Sequence, residues 1–564
     1  MKFLHKIGLS KLVYPIYSYF FLFALCLSTT SVAEETHHKA AIASAHPLAT
    51  QAGFEILNQG GNAFDAAVAV SAALAVVEPY SSGLGGGGFW LLHRASDGLQ
   101  TMIDGREKAP NTAFRDMYLD QQGHVDKKLS LDGALAAAIP GEPAALAYIS
   151  QKYGKLPLTK TLAPAIRYAT QGFKVSSHYQ KMAAFRTSVL SAYPDANRTF
   201  LNKGHVPNLD TTITQADLAH TLQQLAEHGR SGFYQGDIAN KLVTGVQQAG
   251  GIWTLQDLKN YQVIERKPII GHYKDYTITS ASLPSSGGIV LMLMLNQLES
   301  LPLVTVDTNQ RRHLIVEAMR RAYYDRSYYL GDTDFVHVPT KQLLSKSYGQ
   351  QLARSIDVNR ATPYQPTSLP TSSIGEDTTH FSIIDQYGNR VAATLSINYP
   401  FGSGFIPEGT GVLLNDEMDD FSAHSGSANA YGLTGYKANE IEANKRPLSS
   451  MTPTFIENNN RLMIIGTPGG SRIITMVLLG ILDFIDGEDA QTIVTKPRFH
   501  HQYSPDYIQV ESVGFSAEEL KSLQQRGHNI KNSIVNMAIC KLLLRTNKAK
   551  KSLLPVIPVV KVKV

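Results

Sequence analysis

The sequence predicts an α+β protein with a large core, and three observations carry that expectation. Ala66–Val77 is apolar all round yet too short to cross a bilayer, so it reads as a fully buried helix. Phe381–Ile384 and Arg390–Ile397 are strand-like and flank Tyr387-Gly388-Asn389, which reads as a hairpin turn. Leu462–Ile465, Gly466–Ser471 and Arg472–Asp483 read as strand, Gly-rich turn and helix, an arrangement in which free backbone N–H groups converge on one spot and favour an anion. At 564 residues, 43% hydrophobic, 18% charged and 2 Cys, the chain can bury a sizeable core and is neither disordered nor stapled by disulfides.

The first segment reads as a targeting signal rather than structure. Lys2, Lys6 and Lys11 precede the apolar run Leu12–Leu27, and Ser31-Val32-Ala33 offers the small-residue pattern for cleavage after Ala33. A retained anchor is the alternative, weakened by Tyr14, Pro15, Tyr17, Ser18 and Tyr19 inside the run. A lipoprotein reading of Cys26 is disfavoured by bulky Leu25 before it. The protein is therefore expected to be exported, periplasmic or extracellular. The formal charge of +5 is misleading, because three lysines before Glu34 and seven Lys or Arg after Cys540 stand without an acid, leaving the body at −5. Nucleic acid is accordingly not an expected partner.

Within the body, Leu48–Asn58 reads as an amphipathic helix closed by Gly60-Gly61, and Asn62 can cap the buried helix that follows. Glu78-Pro79 stops that helix, and a glycine run from Gly83 to Gly88 leads into the strand-like Phe89–Leu92. The run reads as close backbone packing, since neither dinucleotide spacing nor a phosphate-loop Lys-Ser/Thr is present. From Pro143 to Gln351 helical patterns alternate with short loops and include a highly polar helix through Arg311, Glu317, Arg320 and Arg321 that offers little chemistry. Ile356–Asp377, with Pro363, Pro366 and Pro370 among clustered Ser and Thr, reads as an exposed linker. Thr378-Thr379 then stands at the mouth of the hairpin.

No metal site is expected, because His37-His38 and His500-His501 are adjacent pairs that cannot easily turn both rings to one ion. No Gly-x-Ser-x-Gly turn offers a serine nucleophile. Thr378 permits another route, in which a hydroxyl at a newly made chain start is activated by its own α-amino group, of reference pKa about 8. That route requires a cut between Asp377 and Thr378. A surface turn is the competing reading of the Thr-Thr pair taken alone.

Taken together, Thr378-Thr379-His380-Phe381-Ser382, Asn415-Asp416-Glu417-Met418-Asp419-Asp420-Phe421, Lys445-Arg446-Pro447-Leu448-Ser449-Ser450-Met451, Gly466-Thr467-Pro468-Gly469-Gly470-Ser471-Arg472 and Pro497-Arg498-Phe499-His500-His501 resemble the γ-glutamyltransferase family, bacterial exported type. Asp104-Gly105-Arg106-Glu107-Lys108-Ala109-Pro110 and Glu78-Pro79 resemble it too, and the resemblance runs in order from His38 to Met537. It implies a four-layer αββα sandwich of the N-terminal-nucleophile hydrolase type, a large subunit 34–377 and a small subunit 378–564 cut from one precursor, and no cofactor. It further implies glutathione and other γ-glutamyl compounds as substrates, with amino acids or peptides as acceptors.

By resemblance, Thr378 is the nucleophile, the Gly469 and Gly470 N–H groups form the oxyanion hole, and Ser396 stands where a second Thr usually bonds the nucleophile. Serine keeps the hydroxyl but lacks the methyl that fixes the rotamer, so slower maturation is expected. Arg106 with Ser449 and Ser450 matches the α-carboxylate site, Asn398, Glu417 and Asp420 match the α-ammonium site, and Tyr431 lies in a Ser/Ala/Gly-rich stretch, Ser422–Gly435, that matches a lid loop. After Cys540 the sequence departs from the family's close, and 541–564 reads as an atypical basic, apolar tail unable to supply the closing strands. An uncleaved inactive product is therefore one alternative. A β-lactam or poly-γ-glutamate acylase of the same fold is another.

Overall fold

A computed structural model of the protein describes residues 39–363, 378–533 and 541–546. The signal segment, Cys26, Asp377 and Cys540 lie outside the described residues. Two antiparallel sheets form its centre. The first contains β1 (Ala41–Ala43), β2 (Gly87–Arg94), β3 (Leu99–Gly105), β4 (Ile264–Arg266), β7 (Thr379–Ile384) and β8 (Arg390–Ser396), in the order β1-β7-β8-β2-β3-β4. The second contains β5 (Ile269–Tyr273), β6 (Tyr276–Ser280), β9 (Thr454–Glu457), β10 (Arg461–Gly466) and β11 (Lys541–Thr546), in the order β11-β10-β9-β6-β5.

Side chains alternate across each strand, and here both faces of both sheets are covered. Phe89 and Leu91 of β2, Ala392 of β8, Leu462 and Ile464 of β10 and Leu543 of β11 share the core between the sheets. The intervening Trp90 and Leu92 face a helical layer made by α1 (Pro47–Asn58), α2 (Ala63–Val77) and α3 (Glu142–Tyr153). Met463 and Ile465 face the opposite layer, made by α4 (Gly287–Leu298), α5 (Thr308–Tyr329) and α6 (Ile473–Ile485). The result is the expected αββα sandwich.

Local chemistry explains the central helix. Asn62 caps α2, its side chain accepting from the N–H groups of Phe64 and Asp65 while Asp65 accepts from the Asn62 N–H. Every residue of α2 is buried, and Ser71 accepts the indole proton of Trp90 at 3.1 Å, which satisfies a polar group inside an apolar layer. The glycine run that follows is packed backbone to backbone: a Cβ on Gly86 would lie 2.1 Å from the Ser396 carbonyl oxygen, so only glycine fits there. Among the described residues no helix is long and apolar enough to cross a membrane.

Two expectations are corrected. Lys541–Thr546 is not an unstructured solvated stretch. It pairs with β10 in antiparallel register, Gly466 opposite Lys541 through Arg461 opposite Thr546, and buries Leu542 and Leu543. The strand covers the edge of β10 and becomes the end strand itself, with Leu543 meeting the inter-sheet core and Leu542 the helical layer. Residues 547–564 lie outside the described residues. The start of the expected linker is also anchored: the Ala361 N–H donates to the Arg526 carbonyl at 2.7 Å, and the Thr362 hydroxyl donates to Glu317 at 2.5 Å. The rest of the linker, 364–377, is not among the described residues.

Candidate active site

Thr378 immediately precedes β7 and lines a small cavity with Arg106, Ser396, Asn398, Glu417, Asp420, Tyr431, Ser449, Ser450 and Gly470. These come from five separate stretches of chain, brought together by the hairpin β7–β8, the end of β3, the loop after β8, the segment before β9 and the turn after β10. Of the described residues expected at the site, Gly469 alone does not line the cavity. It precedes Gly470 in the turn with φ +126°, and Gly470 follows with φ +55°. The Tyr431 ring covers Gly470 so closely that a Cβ there would lie 2.4 Å from it, so this turn requires glycine twice over.

Thr378 has φ +115°, a region that a β-branched residue enters only under strain. Its Oγ lies 3.2 Å from the Ser396 Oγ. The Asn398 N–H donates to that same Ser396 oxygen at 2.8 Å, which leaves the Ser396 proton free for Thr378. Next to the nucleophile candidate, the Thr379 hydroxyl donates to the buried Glu78 at 3.0 Å, tying the head of β7 to the end of α2. Asn398 itself has φ +72°, donates through its amide to the Asp416 carbonyl at 3.0 Å and accepts the Tyr431 hydroxyl on its own carbonyl at 2.7 Å. The segment holding Tyr431 is thereby latched over the cavity.

Charge is concentrated on the opposite wall. Arg106 is fully buried, with Nη1 2.6 Å from Glu417 and 3.2 Å from Glu107, and Nη2 2.5 Å from Asp420. Its Nε donates to the Pro447 carbonyl at 3.1 Å, two residues before the serine pair. Burial would lower the guanidinium pKa, but Glu417, Glu107 and Asp420 outweigh it and hold it above its ordinary value. Burial pushes Glu417 well above the usual carboxyl range against the pull of Arg106, and Glu107 rises for the same reason. Three carboxyl groups thus share one guanidinium, and burial works against carrying the full negative charge of all three. Neither Glu417 oxygen has a well-aligned hydrogen-bond partner among the described residues.

Glu417 and Asp420 are held by a short 3₁₀ turn, Glu417–Asp420. Asn415 sets it in place, accepting from the Glu417 N–H at 3.0 Å and donating to the Gly85 carbonyl at 2.6 Å. Asp420 accepts from Asn429 at 2.9 Å, so the lid stretch is tied to the charged wall as well. Ser449 and Ser450 are buried on the other side, Ser449 locked by backbone bonds from its N–H to Pro284 and from Ser286 to its carbonyl, both at 2.9 Å.

Some neighbours were not visible in the sequence. Glu107 adjoins a recognised arginine, yet its burial beside Arg106 shows only in three dimensions. Arg326 lies on the polar helix α5, read as chemically quiet, and reaches Ser450. A buried trio, His313, Glu317 and His528, also comes together. His313 and His528 hydrogen-bond each other at 2.8 Å and Glu317 is held by Arg321 at 2.6 Å, so the trio reads as a satisfied structural network.

Residues 49–556 match the family model described as gamma-glutamyltranspeptidase. The chain belongs to the γ-glutamyltranspeptidase family. The match runs past Cys540, in keeping with the strand found there. The "Glutathione hydrolase proenzyme" of Escherichia coli (strain K12) is 42% identical over 497 residues, 87% of this chain and 85% of that protein. Among solved structures, a cephalosporin acylase from Bacillus halodurans is 27% identical with a TM-score of 0.80, covering 91% of this chain and 92% of its own. The Helicobacter pylori gamma-glutamyltranspeptidase is 40% identical with a TM-score of 0.55, covering 57% of this chain and 92% of its own. These likenesses establish an α+β sandwich of the N-terminal-nucleophile hydrolase type.

Proposed function

We propose that this protein is a self-cleaving γ-glutamyltransferase that hydrolyses glutathione and other γ-glutamyl compounds and passes the γ-glutamyl group to amino acids or peptides. It is exported under a signal removed near Ala33. Thr378 Oγ adds to the Asp377 carbonyl, the C–N bond breaks, and the acyl group moves to oxygen as an ester while the Thr378 amine is freed. Water then releases the large subunit 34–377 from the small subunit 378–564, and the two remain one sandwich. The positive φ of Thr378 and the Ser396 hydroxyl beside its Oγ support this reading.

In the mature enzyme the α-amino group of Thr378 takes the Oγ proton as Oγ attacks the γ-carbonyl. The N–H groups of Gly469 and Gly470 hold the charge that develops on the carbonyl oxygen. The proton then goes to the departing amine, leaving a γ-glutamyl ester on Thr378. Water resolves that ester to glutamate, and an acceptor amine resolves it to a new γ-glutamyl amide.

One observation carries the substrate class. A buried Arg106 ion-paired to both Asp420 and Glu417, with the second Glu417 oxygen, Oε1, left without a hydrogen-bond partner among the described residues, faces the same cavity as Thr378. A free α-amino acid end can insert between them, its carboxylate replacing Asp420 on Arg106 with Ser449 and Ser450 as further donors. Its ammonium replaces Arg106 on Asp420 and Glu417, with Asn398 alongside. Charge is conserved in the exchange, so no bare ion is left in the low-dielectric site. The test is to incubate the purified protein with glutathione and with a glutaryl analogue that lacks the α-amino group. Release of cysteinylglycine, the product common to both compounds, is expected from glutathione alone, and equal release from both would refute the ammonium assignment.

A further inference from the structure

Arg326 projects from α5 behind Ser450 and is buried. Its neighbour Arg106 is surrounded by three carboxylates, whereas Arg326 is paired with none among the described residues. Its hydrogen bonds go to neutral oxygens: Nε donates to the Ser286 Oγ at 2.9 Å and Nη2 to the Ser450 Oγ at 3.1 Å. It also lines a second small cavity that shares Asp420 and Leu433 with the one holding Thr378.

A guanidinium can only donate, which fixes the direction of every bond around it. Ser286 must accept from Arg326, so its own proton is free, and it donates to the Ser449 carbonyl at 2.7 Å. Ser450 must likewise accept, so its own proton is left for another acceptor, and Ser450 lines the cavity with Arg106 and Thr378. One side chain thus sets the backbone of Ser449 and the hydroxyl polarity of Ser450. It also places a second positive charge near an entering carboxylate, where Arg106 is already engaged by Glu107, Glu417 and Asp420. Asp420 acts on Arg326 across the shared cavity but forms no direct ion pair with it, so burial of the guanidinium remains costly and an anion docking at the serine pair offsets part of that cost.

We infer that Arg326 is a positioning residue for the α-carboxylate of the γ-glutamyl group, holding Ser450 as a hydroxyl donor and supplying a second positive charge behind the serine pair. The inference rests on the γ-glutamyl reading of the site. Its test compares kcat/KM for a γ-glutamyl anilide with that for the 4-aminobutanoyl anilide, the same compound without its carboxylate. The same comparison is made by competition with glutamate and with 4-aminobutanoate. In Arg326→Gln the γ-glutamyl compound should lose roughly 10- to 100-fold, mainly through KM, as expected for a hydrogen bond to a charged group. The decarboxylated compound should change less than about twofold, and fragments 34–377 and 378–564 should still form. Arg326→Lys should fall between, and Ser286→Ala, which leaves the charge in place, should reproduce the preference loss more weakly if Arg326→Gln does not mature. An equal loss on both compounds in the variants would make Arg326 merely structural and overturn the inference. Unchanged discrimination would do so as well. A wild-type enzyme indifferent to the carboxylate would overturn the γ-glutamyl reading itself, and the inference with it.

Discussion

Arg106 Nη2 and Asp420 Oδ2 stand 2.5 Å apart in the cavity that Thr378 also lines, so the groups proposed to receive opposite ends of a zwitterion occupy each other until substrate arrives. Arg106→Lys keeps the charge but removes the planar fork that reaches Glu417 and Asp420 together. KM for glutathione should rise while formation of the two fragments stays near normal, since that cut involves no γ-glutamyl group. An unchanged KM would remove Arg106 from the substrate site.

Asp420→Ala should weaken glutathione binding through the ammonium, by roughly 2–5 kcal/mol for loss of one partner of a buried charge pair. Kinetics with glutathione and its deaminated analogue measure this. The variant should handle the two compounds almost alike, and a retained preference for glutathione would place the ammonium elsewhere.

Ser396→Thr restores the methyl that holds the rotamer, so the Thr378 Oγ should be aligned more of the time and precursor should disappear faster. Ser396→Ala removes the hydroxyl 3.2 Å from Thr378 Oγ and should slow the same step. A time course of precursor loss on a denaturing gel orders the three, and Ser396→Ala maturing at the wild-type rate would show that the contact is idle.

Glu142 is wholly buried, neither of its oxygens has a partner among the described residues, and burial, aided by Glu107, lifts its pKa well above the ordinary value. A folded-state pKa above the unfolded one stabilises fully below the unfolded value and is lost as pH rises through the folded value. Glu142→Gln should therefore match the wild type near about pH 4 and be more stable at neutral pH. Thermal melts across that interval test it, and a variant that is less stable at neutral pH would show that the charged form is the one accommodated.

The terminal strand gives a packing test. Leu543 of β11 sits in the inter-sheet core, so Leu543→Ala should cost about 2–5 kcal/mol, and ending the chain at Cys540 should cost more by exposing the edge of β10. Denaturant melts of the variants measure the loss, and an unaltered midpoint would mean that the strand is not part of the folded unit.

How much was legible in the sequence follows the physics of each part. The buried helix, the hairpin and the strand–turn–helix were readable because periodicity and turn residues are local signals. Thr378, Arg106, Glu417, Asp420 and the serine pair were readable because their motifs carry family resemblance, although nothing local brings them together. Arg326 was not, because a polar helix reads as a solvated face and only the packing of α5 behind Ser450 turns one of its cations inward. The tail misled for the converse reason. Lys541 and Arg545 make the stretch look solvated, while the three leucines between need only the two faces that the sandwich and the helical layer provide.

The central claim is that Thr378 cuts its own chain and then serves as the nucleophile. Intact-mass measurement of the purified protein, wild type beside Thr378→Ala, tests it most directly. The account predicts fragments beginning at Glu34 and at Thr378 for the wild type and one uncut chain for the variant. A Thr378→Ala protein that still splits at the same bond, or a wild-type chain that stays whole while releasing glutamate from glutathione, would contradict it.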